Sequence, residues 1–190
     1  MYKLKIISST VRSGRKGPII TSWIADAARE HGGFDVDVLD LAEINLPFMN
    51  EAAHPRLQQY EHEHTKQWSA TIDEADAFVF VVGEYNHNFP APLHNALEYL
   101  VQEWGYKAAG IVSYGGLSGG TRAASSLKGY IPTFKMVPIA EMVHLPFFTK
   151  NINDQDEFVA DESVQRSATA MLNELLRWTK GLKLIKENKL

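Results

Sequence analysis

The feature that most constrains the fold is an uninterrupted apolar run in the middle of the chain, Ala77-Phe78-Val79-Phe80-Val81-Val82. The run has the length of a strand and is shorter than a typical helix. A continuous rather than alternating apolar pattern is typical of a strand that is buried on both faces, as in parallel sheets. It therefore predicts the central strand of a parallel sheet with helices on both sides.

Strand and helix patterns alternate before and after this run. Short apolar segments predict four further strands, at 4–8, 34–41, 108–113 and 136–143. Helical spacing and proline starts predict helices at 18–31, 55–75, 90–101, 121–130 and 161–179, the third of which starts at Pro90 or Pro92. Five strands that alternate with helices predict one α/β domain over residues 1–190, built as a three-layer, doubly wound parallel sheet.

Composition excludes several classes of protein. With 190 residues, of which 45% are hydrophobic, the chain can bury the core of one domain. It contains no cysteine, which excludes disulfides, thiolate metal ligands and cysteine nucleophiles. The net charge of −4 gives no support to a nucleic-acid or membrane-surface role. No segment has the pattern of a secretory signal or a membrane span, so we expect a cytoplasmic protein.

A loop rich in hydroxyl groups and cations follows the first predicted strand. A helix is predicted to start just after this loop, at Pro18. The loop's hydroxyls belong to Ser9, Thr10 and Ser13, and its cations belong to Arg12, Arg15 and Lys16. Gly14 and Gly17 allow close backbone approach. A helix N-terminus with nearby arginines suits an anion, and several cations favour a dianionic monophosphate. The loop matches neither the Walker A motif nor G-x-G-x-x-G.

Two further loops follow the third and fourth predicted strands. Residues 83–90 combine Tyr85 with the amides of Asn86 and Asn88, a mixture that suits the face and edge of a heteroaromatic ring. Residues 113–122 contain two glycine pairs, which let the backbone approach a ligand closely. Ligands of open parallel sheets bind beyond the carboxyl ends of the strands, so the three loops predict one site.

These loops resemble the NADPH-dependent FMN reductase family, which includes quinone, azo-dye and chromate reductases. The resemblance rests on Ser9 to Pro18, on Glu84-Tyr85-Asn86 followed by Pro90, Leu93, Asn95 and Ala96, and on Ser113-Tyr114-Gly115-Gly116. It implies a flavodoxin-like fold with sheet order 2-1-3-4-5 and bound FMN. It also implies NADPH or NADH as the donor, a small-molecule electron acceptor, and homodimers or homotetramers.

The resemblance also implies a role for each loop. Residues around the FMN phosphate would be Ser9, Thr10, Arg12, Arg15, Lys16, Gly17 and Pro18. Residues that meet the ribityl chain and the ring would be Glu84, Tyr85 and Asn86. Residues at the pyrimidine side would be Ser113, Tyr114, Gly115 and Gly116. The family often has proline where this chain has Gly83, which predicts a less rigid start to the second loop.

An enzyme of this kind needs neither a side-chain nucleophile nor a metal, because the flavin supplies the chemistry. Its acceptor could be a quinone, an azo compound, a metal ion or a flavin. The alternatives are a flavodoxin-type electron carrier without its own substrate and a non-catalytic anion-binding domain. Such carriers are typically strongly acidic, so the mild net charge and cationic first loop favour a reductase.

Two smaller expectations concern the segment between the second and third strands. His62 and His64 are two residues apart, so on a helix they would diverge, and we predict no metal site there. Residues 45–55, which include Phe48 and Met49, are candidates for one wall of the pocket.

Overall fold

The computed structural model describes residues 1–189, and its core is one parallel sheet. The strands are β1 (Tyr2–Ser8), β2 (Phe34–Asp40), β3 (Ala77–Gly83), β4 (Ala108–Gly115) and β5 (Val137–Pro146). Their order is β2-β1-β3-β4-β5, with every neighbouring pair parallel. This confirms the predicted sheet order. All residues of β3 are buried, as its uninterrupted apolar run predicts.

Helices cover both faces of the sheet. They are α1 (Gly17–His31), α2 (Leu41–Ile44), α3 (Glu63–Asp73), α4 (Ala91–Glu98), α5 (Thr121–Tyr130) and α6 (Glu162–Lys186). Short 3-10 helices lie at Pro55–Leu57, Ile131–Phe134 and Phe148–Asn151. One core packs α1 and α6 on the sheet, and the other packs α3, α4 and α5. Successive side chains of β3 point into opposite cores, for example Phe78 into one and Val79 into the other.

Three predicted helix boundaries are wrong. The helix predicted over 55–75 starts only at Glu63, because the Glu51 carboxylate accepts hydrogen bonds from the Glu61 and His62 amides and fixes an irregular approach to α3. The helix predicted over 90–101 ends at Glu98. The last helix continues past residue 179 to Lys186, because Leu182 is buried and Lys183 pairs with Asp76.

The expectation that His62 and His64 diverge is also wrong. His62 precedes α3 instead of lying on it, and the two rings stack with centroids 5.1 Å apart. Across residues 1–189, no group of three or more potential metal-ligating His, Asp or Glu side chains comes together. None of the helices in this part of the chain combines the length and apolar character needed to cross a membrane.

Lys107 is a buried lysine that closes the end of α3. Its Nζ donates to the carbonyl oxygens of Ile72 at 2.6 Å and Asp73 at 2.9 Å, and the residue is 1% exposed. Burial, with a smaller effect of the Lys186 charge, lowers the pKa of Lys107 to about 7. A neutral amine still carries two N–H groups, which is enough for the two carbonyls.

We expect Lys107→Met to flatten the pH dependence of the unfolding free energy. Lysine in an unfolded chain has a pKa of about 10.4, so the unfolded state binds more protons than the folded state between about pH 7 and 10. The wild type therefore gains stability from this group as the pH rises, and loses that gain as the pH falls towards 7. Urea unfolding of both proteins at about pH 7 and about pH 9 measures the difference. An equal change in unfolding free energy between the two pH values in both proteins would contradict this expectation.

Candidate functional site

The three predicted loops meet in one cleft at the carboxyl edge of the sheet. The cleft has a volume of about 280 Å³. Its lining residues are Arg12, Arg15, Lys16, Gly83, Glu84, Tyr85, Tyr114, Gly115, Gly116, Phe147, Phe148 and Thr149. A larger cavity of about 470 Å³ lies away from these loops, against α1, and its wall contains Asp26, Glu30, Asp156 and Glu157. Those carboxylates do not suit a phosphate, so the smaller cleft is the better candidate.

The first loop presents a buried hydroxyl and an open helix end. Ser9 and Thr10 are each 1% exposed, and within residues 1–189 the Ser9 Oγ has no hydrogen-bond partner. Lys16 occupies the N-cap position of α1 without a side-chain capping bond in this part of the structure. The first amides of a helix and a buried hydroxyl both need acceptors. An anion at the start of α1 would accept hydrogen bonds from these amides, and the Thr10 hydroxyl lies at the same place, because a Cβ on Gly17 would overlap it.

The cations of the first loop are partly engaged with carboxylates. Arg15 Nη1 lies 2.7 Å from Asp40 Oδ1 and donates to the Thr10 carbonyl at 2.9 Å. The hydrogen bond to Asp40 raises the pKa of Arg15. Lys16 Nζ lies 2.9 Å from Asp156, but this pair is exposed and contributes little to stability. Arg12 is exposed at the cleft.

The second loop is a tight turn. The Tyr85 and Asn88 backbones exchange two hydrogen bonds, of 2.9 and 3.0 Å. Between them, Asn86 and His87 have φ values of 50° and 68°, the backbone of a type I′ turn. Tyr85 lines the cleft, whereas Asn86 lies at the tip of the turn and does not line it.

The start of the second loop is held firmly, contrary to the expectation from Gly83. A Cβ on Gly83 would lie 3.0 Å from the Tyr114 ring, so the glycine is part of a close contact. The Glu84 amide also donates to the Tyr114 carbonyl at 3.0 Å. Packing against β4 therefore replaces the rigidity that a proline would give.

Glu84 joins the second loop to the third. Its carboxylate accepts from Ser118 Oγ at 3.1 Å, from the Arg122 amide at 3.2 Å and from Arg122 Nη1 at 3.0 Å. The Glu84 side chain is 10% exposed. Both carboxylate oxygens are thus used inside the protein, where they hold the glycine-rich loop and the start of α5.

The glycines of the third loop have two different roles. Gly119 and Gly120 have φ values of 60° and 79°, and a Cβ on Gly120 would lie 2.7 Å from the Tyr114 nitrogen. These two are required by the backbone itself. A Cβ on Gly116, in contrast, would meet no atom of residues 1–189 within 4 Å. Gly116 therefore borders open space at the cleft.

Ser113 and Tyr114 support the loops of the site through buried hydrogen bonds. Ser113 is fully buried and its Oγ donates to the Gly119 carbonyl at 2.8 Å, with His144 Nδ1 at 2.7 Å. Burial lowers the pKa of His144. The Tyr114 hydroxyl lies 3.3 Å from Thr10 Oγ1 and links the third loop to the first. Burial raises the pKa of Tyr114 to about 12, so it stays a neutral phenol.

Sequence reasoning missed one wall of the cleft. Phe147, Phe148 and Thr149 follow β5 and line the cavity, and Phe148 packs edge-on against Tyr114 with ring centroids 4.8 Å apart. The predicted strand ended at residue 143, whereas β5 continues to Pro146. The available signal was that a fifth parallel strand must end at the same edge as the other four.

This fold defines a class, the flavodoxin-like proteins, and the cleft lies at the carboxyl edge of the parallel sheet, where ligands of such sheets bind. The sequence model of the NADPH-dependent FMN reductases matches residues 2–150. The chain is 40% identical over 136 residues to an NAD(P)H-dependent FMN reductase of Schizosaccharomyces pombe, covering 70% of this chain and 68% of the relative. It therefore belongs to the NADPH-dependent FMN reductase family.

One further relative agrees with the family, and one solved structure agrees with the fold. The chain is 27% identical over 150 residues to an NAD(P)H:quinone oxidoreductase of Solanum tuberosum, covering 74% of this chain and 73% of the relative. The fold matches FerB, a flavoenzyme NAD(P)H:(acceptor) oxidoreductase from Paracoccus denitrificans, with a TM-score of 0.77 and 16% identity over 95% and 98% of the two chains. The predictions of an oxidoreductase that uses FMN and NAD(P)H are confirmed, which favours an enzyme over an electron carrier.

Proposed function

We propose that the cleft between the three loops holds FMN and that the enzyme passes electrons from NAD(P)H to a quinone-type acceptor. The observation that carries the proposal is the N-terminus of α1, which has no side-chain cap in the described structure and lies against the buried Thr10 hydroxyl. A terminal phosphate is the ligand that these groups fit. The acceptor class follows the quinone oxidoreductase among the relatives.

The first loop would bind the phosphate by hydrogen bonds from inside and by charge from outside. Ser9, Thr10 and the amides from Gly17 onward, at the Pro18 start of α1, form the inner contacts. Arg12 and Lys16 add positive charge at the exposed side of the cleft. Arg15, already paired with Asp40, holds the loop through the Thr10 carbonyl and adds its field.

The other two loops would hold the ribityl chain and the ring. Tyr85 and the Gly115-Gly116 backbone face the same cleft, with Asn86 at the tip of the adjoining turn. FMN, when bound, supplies hydride acceptance and onward electron transfer. Amides of residues 115 and 116 stabilise negative charge at the pyrimidine edge. The side chains of Glu84, Ser113 and Tyr114 hold the three loops in their positions relative to one another.

Replacing Gly116 with valine tests the position of the ring. Because no described atom lies near a Cβ there, the fold should tolerate the change and the melting temperature should stay at the wild-type value. The FMN dissociation constant should rise about tenfold, since a branched side chain enters the space of the ligand. Quenching of flavin fluorescence on titration measures this affinity.

Gly129→Val is the matched control, because a Cβ there is equally free of contacts but lies on α5 outside the cleft lining. It should bind FMN like the wild type. Wild-type FMN affinity in Gly116→Val would show that the ring lies elsewhere.

The acceptor class is tested by steady-state rates of the FMN-loaded enzyme with a quinone, an azo dye, ferric citrate and free riboflavin. We expect the highest kcat/KM with the quinone. A higher value with any of the other three would contradict this choice of acceptor. Assembly as a homodimer or homotetramer and a cytoplasmic location stay predictions, and light scattering in solution tests the first.

A further inference from the structure

An asparagine side chain holds the segment 46–50 against α4. Asn95 Nδ2 donates to the Pro47 carbonyl at 2.7 Å, and the Met49 amide donates to Asn95 Oδ1 at 2.9 Å. The two hydrogen bonds fix the chain on either side of Phe48. The peptide groups around Phe48 are therefore fixed by one amide that is used as both donor and acceptor.

Tyr99 supports the same segment from beneath. Its side chain is fully buried, and its hydroxyl lies 3.1 Å from the Pro47 carbonyl and 3.2 Å from Asn50 Oδ1. Burial raises the pKa of Tyr99, so the phenol remains a donor. With Asn95, it forms a clamp that leaves the Phe48 backbone little freedom.

The residue between these hydrogen bonds, Phe48, has an apolar ring that is exposed to solvent. Phe48 is 86% exposed, so its side chain contributes almost nothing to the core. A single exposed hydrophobic residue needs no explanation. Here, however, three hydrogen bonds hold the backbone on either side of that residue in place.

Phe48 lines two cavities that reach the first and second loops. One, of about 310 Å³, also contains Val11, Leu46 and Pro92, and the other, of about 290 Å³, contains Asn88 and Phe89. Val11 adjoins Arg12 of the first loop, and Asn88 belongs to the second loop. The Phe48 ring therefore lies next to both loops that border the cleft.

The chemistry of the first of these cavities selects among acceptors. Among residues 1–189, the side chains that line this cavity are mostly aliphatic or aromatic, with two asparagines and no charged group. Such a surface suits an uncharged planar ring and offers nothing to a metal ion or to a sulfonated dye. An aromatic side chain at its margin can stack on that ring.

We propose that Phe48 is a specificity-determining residue for an uncharged, quinone-type acceptor and that Asn95 is the residue that positions it. The proposal rests on the proposed function, because it requires that reduced FMN in the adjoining cleft delivers electrons to that acceptor. Phe48 contacts the acceptor, and Asn95 acts through Phe48.

Phe48→Ala is the first test, made with the FMN-loaded enzyme. The KM for menadione should rise about three- to tenfold, the loss expected for one aromatic contact. FMN content, the rate of flavin reduction by NADPH, and turnover with ferricyanide should be unchanged, since ferricyanide takes electrons without an apolar site. Phe48→Trp should keep a KM near the wild-type value. Trp178→Ala, which removes an exposed aromatic from α6, is the control and should change nothing.

Asn95 variants test the positioning role. Asn95→Ala should raise the KM for menadione about as much as Phe48→Ala, and the double variant should be no worse than either single one. Asn95→Asp keeps the bond from the Met49 amide but loses the donor to Pro47. Its KM for menadione should therefore lie between the values of the wild type and Asn95→Ala. A purely structural role would instead lower the kcat with ferricyanide as well.

Three results would overturn the proposal. One is an unchanged menadione KM in Phe48→Ala, and another is an equal loss with ferricyanide. A third is a changed molecular mass in solution, which would assign Phe48 to a contact between copies of the chain. Failure of NADPH to reduce the flavin of the wild type would overturn the proposed function together with this one, and that result is read before any variant is made.

Discussion

Gly17→Ala should weaken FMN binding while the protein still folds. A Cβ on Gly17 would overlap the Thr10 hydroxyl and lie 2.8 Å from the Tyr114 hydroxyl oxygen. Both neighbours are buried, so the first loop must move away from the start of α1. Overpacking of this kind costs about 1–3 kcal/mol, and we expect the FMN dissociation constant to rise about ten- to hundredfold. Fluorescence titration measures the affinity and thermal unfolding the stability.

The control for Gly17→Ala is Gly129→Ala, which adds the same methyl group where a Cβ meets no described atom. Combining Gly17→Ala with Tyr114→Phe removes one of the two clashes and should recover part of the affinity. Wild-type FMN affinity in Gly17→Ala would show that the phosphate does not lie at the start of α1.

Glu84→Ala should lower both the stability and the FMN affinity. The substitution removes a nearly buried carboxylate and leaves the Arg122 amide and the Ser118 hydroxyl without their acceptor. Because Arg122 is half exposed, its charge adds little, and we expect a loss of about 2 kcal/mol in the free energy of unfolding. FMN affinity should fall about tenfold, since the second and third loops lose their connection. Urea unfolding and fluorescence titration check the two effects.

Two variants separate this joining role from direct contact with the cofactor. Glu84→Gln keeps an acceptor for Ser118 and should be milder than Glu84→Ala. Arg122→Ala removes only the exposed partner and should have the smallest effect of the three. If Glu84→Ala loses FMN while its unfolding free energy stays at the wild-type value, Glu84 contacts the cofactor directly.

The sequence was sufficient for the sheet and for the location of the site because both depend on local patterns. The apolar run of β3 reports burial on both faces, and the resemblance implied the sheet order that the structure confirms. The three loops were predicted from their residue types alone, and all three border the cleft. Helix boundaries failed where a distant group intervened, as with Glu51 before α3.

The roles of single site residues could not be predicted because they depend on partners far along the chain. Arg15 pairs with Asp40, and Glu84 with Arg122, which no local pattern indicates. Ser113 supports the glycine-rich loop from inside the protein. Asn95 bonds to Met49, which is 46 positions away, and to Pro47, which is 48 positions away. The sequence therefore suggested a pocket wall at Phe48 but not the side chain that fixes it.

The central claim is that this cleft holds FMN and that the bound flavin takes electrons from NAD(P)H. Its most direct test is the absorption spectrum of the purified, FMN-loaded protein, followed anaerobically as NADPH is added and then as a quinone is added. We predict that the oxidised-flavin band bleaches with one equivalent of NADPH and returns with one equivalent of quinone. A protein that retains no flavin, or whose flavin band NADPH and NADH leave unchanged, would contradict the claim.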